Sequence, residues 1–244
     1  MNLNQQLKII HLLNHCVLVY FLYFGNLWLS SISFLIFQIL IIIGVSSGLH
    51  RYYTHRSFDT NIFWQRVMLF VSIPATLGTP ISWISTHRLH HAYSEKEKDP
   101  HSPLTLGFLR SYFHVWNHIN IPSRLVSDIV KNNTIKFIHT HYIKILVFYI
   151  LMLYFISPTV GIIVYSIPAV LMFHATSLIN ALGHKWGYRN FDTDDNSRNS
   201  KITGILLGGE GLHNNHHKNP QSPNFSYTPN EFDISWHFIK LIRT

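Results

Sequence analysis

Two stretches of the chain, residues 9–50 and 145–184, contain no Asp, Glu, Lys or Arg. Each runs to about twice the roughly 20 apolar helical residues that one crossing of a bilayer needs. Each therefore predicts a pair of spans joined by a tight turn, at Gly25-Asn26 in the first and Ser157-Pro158 in the second. The predicted spans are 9–28, 30–50, 137–156 and 160–180. The third starts ahead of its charge-free stretch, so Lys144 must snorkel or face protein. Residues 63–83 are also apolar, but Pro74, Gly78 and Pro80 interrupt the helical pattern and Arg66 shortens it. That segment is expected to lie in or near the membrane interface without crossing. Residues 190–200 read as a polar loop, 219–230 as a Pro/Asn/Ser-rich excursion and 231–242 as a short amphipathic helix. The pattern predicts an all-α integral-membrane fold, a single domain over residues 1–244. Four transmembrane helices would carry a helical cap built from residues 51–136 and 185–244.

Charge placement sets the expected topology. The net charge of +8 by itself would suit a nucleic-acid partner. Eleven of the nineteen Lys and Arg fall in residues 51–144 and seven from residue 185 onward, however, and neither predicted turn carries any. The positive-inside rule then puts both termini and the central segment in the cytoplasm, in a multi-pass arrangement. The basic excess faces lipid headgroups, and no nucleic-acid function is expected. The first apolar run is long and lacks a basic leader, so no cleavable signal peptide is expected. The one cysteine, Cys16, excludes an intrachain disulfide, a cysteine-ligated zinc site and a four-cysteine iron–sulfur centre.

Candidate chemistry lies in the eighteen histidines. Three tight groups stand out: His50 with His55, His87 with His90 and His91, and His213 with His216 and His217. His184 follows the fourth predicted span alone. Residues three and four apart share a helix face, so each i, i+3, i+4 trio aims its imidazoles at one place. Nine convergent nitrogens exceed what one metal can take and suit two, about 4–7 Å apart in so wide a cage. Imidazole accommodates iron, zinc, copper and nickel alike. All nine reach one membrane face only if residues 63–83 do not cross. The other histidines (His11, His15, His101, His114, His118, His139, His141, His174 and His237) read as structural. Of these, His174 is taken as the one deep in a span. Carboxylate-bridged metal pairs use two Glu-x-x-His motifs on bundle helices. Only Glu210-Gly-Leu-His213 fits here, so Glu210 reads as an acceptor orienting a ligand imidazole. Asp99 either does the same or caps the turn before Pro100.

The three boxes, with Gly48-Leu-His-Arg, Trp83-Ile-Ser-Thr-His, Asp99-Pro-His101, Asn180-Ala-Leu-Gly-His184 and Gly209-Glu-Gly-Leu-His213, resemble the membrane fatty acyl desaturases that include the stearoyl-CoA desaturases. The likeness covers residues 40 to 240, and the compact, unfused form resembles prokaryotic members. It implies that His50, His55, His87, His90, His91, His184, His213, His216 and His217 bind two iron ions, with Asn180 contacting one of them through water. Leu212 departs from the pattern, since many relatives have an aromatic there. The implied reaction is oxygen-dependent insertion of a cis double bond, at carbon nine of a saturated chain of 16 or 18 carbons. An apolar tunnel must hold that chain, with Trp83, Phe173 and Thr176 as candidate lining. The acyl group is carried on coenzyme A, a carrier protein or a lipid. The electrons must come from a separate cytochrome, ferredoxin or rubredoxin, because the chain has no nucleotide fingerprint or cysteine cluster of its own. Arg51, Arg56, Lys96 and Lys98 either steer such an acidic partner or meet headgroups. A histidine-box hydroxylase or ketolase shares the same metal chemistry. A metal transporter or a non-enzymatic metal-binding protein would also hold a metal.

Overall fold

A computed structural model describes residues 2–113 and 122–244. His114 and His118 lie outside the described residues. Helix α1 runs Leu3–Phe24 and α2 runs Leu27–Thr54. Between them Gly25 ends the first helix, and the Asn26 side chain caps the second by accepting from Leu29 N at 2.9 Å. Then come α3 (Ile62–Val71), α4 (Pro80–Tyr93), α5 (Pro103–Leu106) and α6 (Phe108–Phe113). They are followed by α7 (Asn133–Ile156) and α8 (Pro158–Leu182), and then by the short helices α9 (Lys201–Leu206), α10 (His213–Lys218) and α11 (Ile234–Ile242). Isolated bridges apart, the described residues form no β-strand. Four helices, α1, α2, α7 and α8, are long and apolar enough to cross a membrane. This is a membrane protein. The amphipathic helix of the tail starts at Ile234, later than its sequence suggests, because Asp233 caps it by accepting from Trp236 N at 3.1 Å.

The four long helices are unequal. About 22% of the most apolar window of α1 and of α7 is buried, against 56% for α2 and α8. The central pair is therefore α2 with α8, and α1 and α7 offer most of their surface to lipid. Lys144 is exposed on α7 and does not face protein. The last fifteen residues of α2, Leu40–Thr54, are wound as a π-helix. This winding brings together residues five apart, and His55 N donates to His50 O at 3.1 Å. Helix α3 crosses α2 so closely that a Cβ on Gly44 would lie 2.8 Å from Ser72 N, and one on Gly48 would lie 2.9 Å from Met68 Cβ. Small residues four apart permit that approach.

Helices α3 and α4 meet at 89° and do not form one straight span. The corner contains Pro74, Thr76 at φ 57° and Gly78 at φ 93°, with Pro80 opening α4. A broken helix at membrane depth exposes backbone carbonyls that lipid cannot satisfy, so neighbouring side chains must. His11 Nε2 lies 3.1 Å from Thr76 O, Tyr142 donates to Ile73 O at 3.2 Å, and His139 Nδ1 lies 2.7 Å from Thr79 Oγ1. The sequence reading of His174 as the lone intramembrane histidine is corrected here. His11 and His15 also sit in α1, and His15 Nε2 is 3.2 Å from His174 Nε2, whose Nδ1 meets Tyr112 Oη at 2.7 Å. Among the others, His141 bonds Phe137 O within α7, and His237 stacks on Phe232.

Candidate metal centre

The C-terminal end of α2, the C-terminal half of α4, His184 just past the end of α8, and helix α10 meet at one end of the bundle. Arg88 fixes the first two against each other. Its Nη2 donates to Tyr53 O at 2.9 Å, its Nε to Thr54 O at 3.2 Å, and Asp128 pairs with it at 2.6 Å. Helix α10 has no capping side chain of its own at Leu212. Its free N–H groups are met from a distance, where Asn199 Oδ1 accepts from Asn214 N at 2.9 Å and Asn215 N at 3.2 Å. Asn214 and Asn215 extend this buried network to Asn190, Phe191, Phe225 and Glu231. Leu212, wholly buried, packs toward Gly204.

The nine histidines form two groups. His50, His55, His87, His91 and His216 make a set of five, and His90, His184, His213 and His217 a set of four. Within the first, Nε2···Nε2 separations are 3.0 Å for His50–His216, 3.0 Å for His87–His91 and 2.8 Å for His91–His216. Within the second they are 3.0 Å for His184–His213 and 3.3 Å for His90–His217. Two imidazoles bound at right angles to one metal, each at about 2.1 Å, bring their nitrogens about 3 Å apart.

Acidic side chains decide which nitrogens face inward. Asp99 meets His90 Nδ1 at 3.0 Å, Glu95 meets His184 Nδ1 at 3.0 Å, and Asp195 meets His217 Nδ1 at 2.5 Å. Glu210 Oε2 lies 2.6 Å from His50 Nδ1, and its Oε1 accepts from Ser46 Oγ. A neutral imidazole that donates from Nδ1 has a lone pair on Nε2. His90 and His217 thus turn lone pairs on each other at 3.3 Å, an arrangement that repels unless a cation lies between them. His55 Nε2 is buried with no hydrogen-bond partner. Both observations fit metal ions held by imidazole. Burial, reinforced by neighbouring histidines, pushes His91 down to about 3 and holds His55, His87, His90, His213, His216 and His217 well below the ordinary histidine range. They are neutral and ready to bind at neutral pH. Burial alone would raise the Glu210 carboxyl, but His50 and Arg51 beside it hold it below the usual carboxylate range.

Glu95 and Asp195 were not singled out from the sequence. Their signal is the scarcity of acids, only eleven in the chain, but nothing local separates Asp195 from Asp192 and Asp194. His101 stacks on the His90 ring at 4.4 Å and joins His90 and Asp99 in a third close group. Asn180 is half-buried in the last turn of α8, outside both histidine sets. Trp83 stacks on His87 at 5.2 Å and meets His50 edge-on at 5.9 Å. Phe173 sits deeper, against His11, His15 and Phe113, and Thr176 is half-buried between Phe173 and Asn180. The suggestion that Arg51 steers a partner is wrong. Arg51 is fully buried, pairs with Asp233 at 3.0 Å and covers the Phe225 ring at 3.7 Å.

A sequence profile described as fatty acid desaturase matches residues 26–237. The sn-1 stearoyl-lipid 9-desaturase of Anabaena variabilis is 32% identical over 220 residues, covering 87% of this chain and 80% of that protein. Delta-9 acyl-lipid desaturase 2 of Arabidopsis thaliana is 31% identical over 81% of this chain and 66% of its own. An acyl-CoA C20 Delta5-desaturase of Anemone leveillei is 29% identical, with 86% and 70% covered.

Proposed function

The chain belongs to the fatty acid desaturase family, and from that premise we propose that its two histidine sets hold two iron ions that desaturate a lipid acyl chain with molecular oxygen. The observation that carries this reading is the division of nine imidazoles into groups of five and four, with the lone pairs of His90 and His217 turned on each other. Paired irons can activate oxygen strongly enough to break unactivated C–H bonds, and the proposed ligands are His50, His55, His87, His91 and His216 for one ion and His90, His184, His213 and His217 for the other. The reaction balances as one –CH2–CH2– unit, one O2, two electrons and two protons giving –CH=CH– and two waters. The electrons come from a separate donor protein. The protein must fix the acyl chain, keep water away and hold the ligands neutral. Trp83, against both His50 and His87, marks the side of the centre the chain passes, with Thr176 and Phe173 along its deeper course. Asn180, in the last turn of α8 ahead of His184, would orient a water near the four-histidine set. The centre and both termini face the cytoplasm.

The names of the relatives favour carbon nine of a saturated chain. The test is expression in a host that makes no unsaturated lipid, fed saturated acids of different lengths, with double bonds mapped by gas chromatography and mass spectrometry. A cis bond staying at carbon nine as the chain length changes is the expected result. Hydroxylated products would reject desaturation, and a bond that keeps its distance from the methyl end would reject counting from the carboxyl end.

A further inference from the structure

A narrow cleft of about 90 Å3 runs between the end of α8 and the segment that carries α9, and reaches the back of the His213 ring. Its walls include Leu178, Ile179 and Leu182 from the last turns of α8, with the exposed Trp186 and with Thr203. Gly183 has no side chain to close the inner end: a Cβ built there would lie 3.0 Å from His213 Cδ2. Trp186, in the lining, is exposed at 59%, and Ile202, next to Thr203 in the chain, at 71%. An exposed tryptophan just past the end of a span is the usual sign of the membrane edge. The polar groups of the lining are already engaged. Arg198 donates to Gly187 O, Thr203 Oγ1 to Ser200 O, and Ser46 to the Glu210 carboxylate. The remaining lumen is apolar, a poor host for water but of a size to hold a small apolar molecule.

The cleft is not the acyl path assigned above. Leu178 and Leu182 are each two residues from Thr176 or Asn180 and point away from them, whereas Ile179 and Gly183, three residues on from Thr176 and Asn180, form the border between the two. We propose that this cleft admits molecular oxygen from the bilayer edge to the four-histidine set, past the Leu178 and Leu182 side of α8. The proposal rests on the oxygen-dependent reading of the centre and adds a route for one of its substrates.

Two measurements test it. Crystals of the metal-loaded protein under xenon should show xenon between Leu182 and His213, and ordered water there instead would overturn the proposal. Leu178→Trp should fill the cleft and abolish xenon binding. It should raise the KM for oxygen about fivefold while leaving the acyl KM and the rate at saturating oxygen unchanged. An unchanged oxygen KM in a folded Leu178→Trp protein with no xenon bound would also overturn it. Leu178→Ala guards against misfolding of the tryptophan variant: it should keep xenon without raising the oxygen KM, and a raised KM would count against the proposal. A wild-type enzyme that consumes no oxygen with its acyl substrate would reject the desaturase reading itself, an outcome separate from all of these.

Discussion

The two histidine sets differ most in what stands behind them. The set of four is backed by three carboxylates, Asp99, Glu95 and Asp195, each at the Nδ1 of a different ligand. The set of five has one, Glu210 at His50, and otherwise meets aromatic rings: Trp83 on His50 and His87, and Phe225 on His50 and His216. A carboxylate behind a ligand imidazole fixes its tautomer and raises its basicity. A metal in the set of four would have fewer ligands in a more anionic surrounding, which favours the higher charge state. A metal in the set of five would have more ligands and a more apolar surrounding. Two ions of one element in one centre need not be equivalent.

The largest effect expected from this difference is on metal content. His213→Ala leaves three ligands in the smaller set, whereas His87→Ala leaves four in the larger. Both should abolish desaturation. Metal analysis should find about one ion per chain in the first variant and nearer two in the second. Equal losses would remove the distinction between the sets. Next come the supporting carboxylates. Glu210→Gln removes the only one behind its set and should weaken metal binding there about 100-fold, while Glu95→Gln, with two others remaining, should cost about tenfold. Competition with a chelator measures both, and the reverse order would break the comparison.

A smaller effect concerns pH. Unfolded histidines take up protons near pH 6.5, whereas buried His91 holds off until about 3, with its neighbours also depressed. Below pH 6.5 the unfolded chain therefore binds more protons than the folded one, and the metal-free protein must lose stability as pH falls. Thermal unfolding at pH 7.5 and 5.5 should show a lower Tm at the acidic value. A Tm that rises on acidification would mean the imidazoles are charged in the folded state. The smallest effect separates ligands from other histidines. His11→Ala should leave two metals bound and cost about 1–3 kcal/mol, the usual range for stranding a buried carbonyl such as Thr76 O.

What could be read directly from the chain was what depends on short spacing or on solvent. Uncharged stretches of this length settle the four membrane helices, since hydrocarbon tolerates only helices and closed barrels, and barrel strands alternate apolar with polar residues where these runs do not. The spacing of His87, His90 and His91 and of His213, His216 and His217 places each trio on one helical turn, a local property. His50 and His55 were harder, because five residues do not repeat on an α-helix and only the π-helical end of α2 brings them to one side.

Tertiary structure decided how these local groups combine. No spacing tells that His90 leaves its neighbour His91 for the other set, because the split depends on where α10 and His184 come to lie. At the corner that turns α4 away from α3, His11 and Tyr142 from distant helices meet the carbonyls of Thr76 and Ile73, and His139 meets the Thr79 hydroxyl. Arg51 looked like a surface charge beside a ligand, and only folding set Asp233 and Phe225 around it. Glu95, Asp195 and Asn199 act across separations of 89, 22 and 15 residues. Hydrogen bonds that close such loops have no local signature. Their partners are chosen by the packing of helices, which a single sequence does not display residue by residue.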